Sequence, residues 1–176
     1  ALEHELQYPT DKRIFAIAEA FKQGMSLERI AELSGITSFF LYKLKNIVDG
    51  ETELLKQHRA HQPLTQELLL KAKKLGFSDH QIGKITQTNG LEIRKLRKQL
   101  GITPFVKQID TLAAEYPAKT NYLYVTYNAS EHDITPSTVS SKKVTTTISK
   151  KKNANKSVMV LGGGAYRIGS SVEFDW

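Results

Sequence analysis

The sequence predicts a mainly α protein of about six helices with an internal two-fold helical-hairpin repeat, followed by a short strand and the opening strand-turn-helix of a truncated α/β unit. Three observations predict it. Apolar residues keep a 3.6-residue period through residues 10–100, a block of sequence recurs at a spacing of 52 residues, and the composition changes after Gly101.

The helices come first. Ile14, Ile17, Ala18 and Phe21 fall at i, i+3, i+4 and i+7, and Phe40, Leu41, Leu44, Ile47 and Val48 repeat that pattern. Leu68, Ala72 and Leu75, then Ile93, Leu96 and Leu100, make two more stripes. Thr10, Ser26, Thr37, Thr65, Ser78 and Asn89 each stand just before a periodic segment, where a side-chain oxygen satisfies an orphan N–H for about 1 kcal/mol. Ser78 with Gln81 and Asn89 with Glu92 also have capping-box spacing.

The repeat lies inside this region. A 52-residue shift lays Gly24, Met25, Ser26, Ile30 and Leu33 onto Gly76, Phe77, Ser78, Ile82 and Ile85. It also lays Thr37, Leu41, Lys43 and Leu44 onto Asn89, Ile93, Lys95 and Leu96. Two copies are too few for a solenoid, so two helical hairpins packed face to face are expected.

After Gly101 the pattern shifts. Val106 to Glu115 fits an extended segment or a short helix equally well, whereas Tyr122 to Tyr127 (YLYVTY) is aromatic and β-branched and predicts a strand. The next stretch, 128–157, is rich in Ser, Thr and Lys and poor in large apolar residues, hence a flexible insertion. Val158 to Leu161, Gly162-Gly163-Gly164 and Ile168-Gly169-Ser170 then read as strand, glycine loop and helix start of a parallel α/β unit. Only fifteen residues follow Leu161, so that sheet is expected to be incomplete here. The domains are 1–9, a connector; 10–127, the helical domain with its extended C-terminal segment; 128–157, the insertion; and 158–176, the start of a following unit.

Composition narrows the function. The chain has no cysteine, which excludes a disulfide framework, thiolate zinc and a Cys nucleophile. No apolar run approaches the roughly 20 residues of a bilayer span, and the start lacks a signal-peptide core, so a soluble cytoplasmic protein is expected. The net charge of +7 suggests a polyanionic partner at first sight. Lys142, Lys143, Lys150, Lys151, Lys152 and Lys156 supply most of that excess inside the insertion, so the charge describes a linker.

Chemistry-bearing constellations are sparse. The short helix, turn and second helix of each repeat match helix-turn-helix patterning, the rival reading as a nucleic-acid-binding module. Phe39, Phe40 and Leu41 occupy the base-reading positions of the first copy, where hydrogen-bonding side chains belong, and read instead as packing or association residues. The second copy offers Arg94, Lys95, Arg97 and Lys98, which are ordinarily a solvated face. His58 and His61 fit one helix face but lack a third ligand, so no metal site is expected. No catalytic residue is recommended by spacing. The glycine loop Gly162-Gly163-Gly164, with Arg167 nearby, is a candidate anion cradle or a plain tight turn; it fits neither a Walker loop nor the dinucleotide fingerprint.

YPTDKRIFAIAEAF at 8–21, FSDHQIGK at 77–84, RKLRKQLGI at 94–102, VKQIDTLAAEYPAKTNYLYVTY at 106–127 and VMVLGGGAYRIGSSVEFDW at 158–176 resemble the large synthetase chain of carbamoyl-phosphate synthetase. The resemblance covers nearly the whole chain and falls on the helical oligomerisation domain and the opening (pre-ATP-grasp) strand of the second ATP-grasp half. It implies a segment that joins the two halves and mediates domain or subunit association, without a complete active site or a cofactor of its own. The implied parent, an ATP-dependent ligase using ATP with Mg or Mn, makes carbamoyl phosphate from bicarbonate, glutamine-derived ammonia and two ATP. Its implied partners are the adjacent ATP-grasp halves, a glutaminase domain and further copies of itself, with no nucleic acid and no membrane. By position, Ser171 and Glu173 would line the internal passage for carbamate. EHEL, the stretches near 57–64 and SSVEFDW resemble most the eukaryotic multifunctional pyrimidine-synthesis proteins, in which aspartate transcarbamoylase and dihydroorotase are fused; arginine-specific and urea-cycle enzymes are the alternatives. The 134–156 stretch is longer than the family's usual link.

Overall fold

The computed structural model describes residues 2–110, 112–117 and 122–134. Among them the chain forms α1 (Leu2–Gln7), α2 (Arg13–Lys22), α3 (Leu27–Ser34), α4 (Ser38–Arg59), α5 (Gln66–Lys74), α6 (Asp79–Ile85) and α7 (Gly90–Gln99), then β1 (Phe105–Gln108) and β2 (Leu123–Thr126). The fold class is mainly α, as the periodicity predicts, and α2 to α7 begin at or just after the six predicted start signals.

Local chemistry explains these starts unevenly. Ser26, Thr65, Ser78 and Asn89 each accept a backbone N–H from the first turn, and Ser78 with Gln81 completes a reciprocal capping box. Thr37 stands at the N-cap of α4 without a side-chain bond, and Thr10, three residues before the start of α2, accepts from Lys12 N–H. The connector assigned to 1–9 contains a helix, α1, whose Leu6 is fully buried against α2 and α3.

The repeat is structural. The 52-residue shift carries α2, α3 and the start of α4 onto α5, α6 and α7, and it carries Leu2 of α1 onto Leu54 of α4. Buried Ile17, Ala20, Ile30 and Leu41 land on buried Leu69, Ala72, Ile82 and Ile93. Even a back-bonding hydroxyl is repeated: Ser34 Oγ donates to Ile30 O at 2.6 Å, and Thr86 Oγ1 to Ile82 O at 2.9 Å. The expected face-to-face hairpins are corrected, because each copy closes its own core and α4 belongs to both. Leu41 of α4 enters the first core and Leu54 the second. The 22 residues of α4 run on for about 33 Å through Asp49-Gly50, with Val48, Gly50 and Leu54 buried on its inner face. Burial of each large core side chain contributes about 1.5–3 kcal/mol.

The copies differ at one backbone position. Gly35 ends α3 in the left-handed region at φ 67°, and its counterpart after α6 is Gln87 at φ 54°. A Cβ there costs roughly 1–2 kcal/mol, partly offset by the smaller entropy a non-glycine residue loses on folding. Gln87→Gly is therefore expected to stabilise the chain by about 0.5–1 kcal/mol. Thermal unfolding checks this, and a lowered midpoint would contradict it.

The segment left open between strand and helix is extended. β1 pairs antiparallel with β2, matching Phe105 to Thr126, Val106 to Val125, Lys107 to Tyr124 and Gln108 to Leu123. Residues 128–133, assigned by composition to the insertion, begin with Asn128 donating to Lys74 O at 3.1 Å and then return along the other edge of β1. Val106 N–H donates to His132 Nδ1 at 3.0 Å, Asp133 N–H to Val106 O at 3.0 Å, and Gln108 N–H to Asp133 Oδ2 at 2.9 Å. Lys107 pairs with the Asp133 carboxylate as well. Polar side chains that composition counts as disordering here satisfy backbone groups. The remainder of the insertion, 135–157, lies outside the described residues.

Candidate association surface

The first turn of α4 carries the residues singled out for packing or association, and the structure divides them. Leu41 is completely buried, whereas Phe39 and Phe40 are 61% and 60% exposed. Three consecutive apolar residues span most of a helical circumference, so α2 and α3 can cover one of them and leave the others outside. The two rings meet edge to face, centroids 5.3 Å apart, and Lys43 Nζ lies 5.4 Å from the Phe39 ring centroid. Further along α4, Ile47 shares the i, i+7 row with Phe40 and is also exposed, while Val48 is buried. The periodic apolar residues of α4 thus form two stripes, one facing in and one facing out. Ile14 and Phe15 on α2 are exposed too, although Ile14 belongs to the periodic stripe that includes buried Ile17. The exposed rings of Phe39 and Phe40 thus form an apolar patch on the surface of α4.

A second site joins the ribbon to the helices, and sequence reasoning missed it. Asp79, the first residue of α6, accepts from Lys73 Nζ of α5 at 2.9 Å and from Arg97 Nε of α7 at 2.8 Å. Lys73 Nζ also donates to Phe77 O at 2.7 Å and Arg97 Nη1 to Ile102 O at 3.3 Å. Both cations face the ring of Tyr127, at 5.1 and 5.9 Å from its centroid. Burial pushes the Asp79 carboxyl up, but hydrogen bonds from Arg97 and Lys73, with their charges, outweigh it and hold Asp79 below its ordinary value. Burial raises the Tyr127 phenol. These partners lie 18 residues apart for Asp79 and Arg97, beyond any local pattern; the one sequence signal is an acid at the start of a helix.

This bears on the helix-turn-helix reading. Arg97, one of four basic residues on α7, is committed to Asp79 and the 101–102 turn, leaving Arg94, Lys95 and Lys98 for solvent. The two histidines do not share a helix face, because α4 ends at Arg59 and His61 turns away with φ 53°. Among the described residues no group of three or more His, Asp or Glu is placed to hold a metal ion, and no helix is long and apolar enough to cross a membrane. A cleft of about 490 Å³ between the end of α4 and α7 holds His58, Lys95 and a single carboxylate, Glu92, so it offers no carboxylate pair for acid/base work. Gly162, Gly163, Gly164, Arg167, Ser171 and Glu173 lie outside the described residues.

Comparison with known proteins places this architecture. The chain is 48% identical to the multifunctional protein pyr-3 of Neurospora crassa over all of its length and 9% of that protein's. It is 49% identical to the mitochondrial arginine-specific carbamoyl phosphate synthase large chain of the same organism, over 99% of this chain and 14% of that one. It is 47% identical to the multifunctional protein URA2 of Saccharomyces cerevisiae, over 99% of this chain and 7% of that one. The chain thus spans between 7% and 14% of the length of these relatives. Residues 1–101, which contain both helical repeats, match the family described as "Carbamoyl-phosphate synthetase large chain, oligomerisation domain", and the chain belongs to that family.

Proposed function

We propose that this chain is the module that joins the two ATP-grasp halves of a glutamine-dependent carbamoyl-phosphate synthetase and mediates domain or subunit association, with Phe39 and Phe40 in the contact. The observation that carries the reading is similarity running through the whole chain, past the helical repeats to residue 176, to relatives many times longer. The parent then makes carbamoyl phosphate from bicarbonate, glutamine-derived ammonia and two ATP, with Mg or Mn, and directs it to pyrimidine synthesis in the cytoplasm, fused to aspartate transcarbamoylase and dihydroorotase. Ser171 and Glu173 are proposed to line its carbamate passage. Similarity to an arginine-specific chain supports an arginine-pathway parent as the second reading.

The chain alone is expected to bind neighbouring parts of the synthetase and to show no bicarbonate-dependent ATP hydrolysis; turnover by it alone would overturn the module reading. Because both rings are solvent-exposed, the double variant Phe39→Asp, Phe40→Asp is expected to keep the melting temperature within about 2 °C while weakening association at least tenfold. Unchanged association in a folded variant would remove these rings from the contact.

A further inference from the structure

The two repeats part company around one cleft. The cavity of about 490 Å³ between the end of α4 and α7 belongs to the second copy, and the 52-residue shift shows what stands at its positions in the first. Its floor keeps its character, since buried Ile93 answers to buried Leu41 and half-buried Leu96 to half-buried Leu44. Its walls do not. His58 stands where fully buried Leu6 closes the first core, Thr88 where Ile36 packs against that core, and Glu92 and Gln99 where Phe40 and Ile47 lie. Four apolar side chains thus become four hydrogen-bonding ones around a single cavity, whose volume falls in the roughly 300–1,000 Å³ of small-molecule sites.

The lining selects a ligand class. Among the described residues no Phe, Tyr or Trp lines the cavity, so a nucleobase or sugar ring has no aromatic face to stack on. Its single carboxylate, Glu92, is matched by its single ammonium, Lys95, which leaves no excess charge for a phosphate or another polyanion. Residues three apart on a helix are neighbours, about 5–6 Å between Cβ atoms, yet among the described residues neither of these two charged groups pairs with the other or with a third. The half-buried imidazole of His58 has no hydrogen-bond partner there either, although polar groups withdrawn from water ordinarily find one. Leu64, Ile93 and Leu96 supply the apolar floor.

We propose that this cleft is a binding site for a free α-amino acid with an aliphatic side chain. The ammonium of the ligand donates to Glu92, its carboxylate accepts from Lys95, and its hydrocarbon lies on Leu64, Ile93 and Leu96. A molecule that is neutral overall, carries both charges at one end and finishes in hydrocarbon satisfies each part of the lining. The site is separate from the exposed rings of α4 and stands whether or not those rings mediate association.

Isothermal titration of the chain with L-leucine, L-isoleucine and L-valine tests this. Saturable binding of one molecule per chain is expected, weakened at least tenfold in Glu92→Gln and in Lys95→Met. Both positions are exposed, so circular dichroism should not change. Isocaproate, which lacks the ammonium, and isoamylamine, which lacks the carboxylate, are expected to bind at least tenfold more weakly than L-leucine. His58→Leu restores the residue of the first copy and is expected to abolish binding while raising the melting temperature, which separates a filled cleft from an unfolded one. No saturable binding of any of the three amino acids, isocaproate or isoamylamine binding as well as L-leucine, or undiminished binding by Glu92→Gln or His58→Leu overturns the proposal.

Discussion

Gly83→Ala is expected to destabilise the chain by about 1–3 kcal/mol, the range for overpacking that forces the backbone to shift. A Cβ at Gly83 would lie 2.8 Å from the carbonyl carbon of Asn89 and 3.0 Å from Gly90 N. Both are backbone atoms at the start of α7, so no rotamer relieves the contact. Gly90 meets α6 in the same way, with His80 Cα 3.1 Å from its would-be Cβ. In the first copy Ala31 and Ser38 occupy these positions, so the crossing of α6 and α7 is tighter than its counterpart. Chemical denaturation measures the change. A loss under about 0.5 kcal/mol would show that the two helices separate freely, and Ala31→Gly, which relieves no such contact, should show no gain.

The second large effect belongs to Asp79. Asp79→Asn leaves Lys73 and Arg97 in place without the carboxylate that both address, and because the group is only partly buried and both cations keep a backbone acceptor the cost is about 1–3 kcal/mol. Acid should do the same reversibly. The folded carboxyl is held below its ordinary 3.8, so its contribution is complete above that value and is lost as pH falls through the lower folded value. Stability of the parent sequence should therefore fall more steeply below about pH 4 than that of Asp79→Asn. Denaturant midpoints between pH 2.5 and 6 check this; parallel curves for the two proteins would mean the cluster adds nothing.

What the sequence disclosed follows from the range over which each signal acts. The starts of α3, α5, α6 and α7 were legible because a cap and the N–H it serves lie two or three residues apart. α1 was not, since six residues hold too few turns to show a period and its helix exists through Leu6 packing on α2 and α3. The inward face of α4 could be read only where the chain alternates apolar with polar; Phe39-Phe40-Leu41 offers no such contrast. β1 was undecidable because four residues acquire their conformation from β2 on one side and His132 and Asp133 on the other. The Asp79 cluster lay beyond reach for the same reason, its three members coming from three helices.

The helix shared by the two cores also ties the geometry of one repeat to that of the other. Near its middle Gly50 leaves room for the α5–α6 turn, because a Cβ there would lie 2.6 Å from Leu75 Cδ1 and 3.5 Å from Phe77 Cε2. Phe39 lies eleven residues away, roughly 16 Å along the axis. A ten-degree bend at Gly50 would swing the exposed rings through about 3 Å. A side chain added at Gly50 would therefore have to displace Leu75 or bend α4, and any such bend would be felt at the exposed rings of the first repeat.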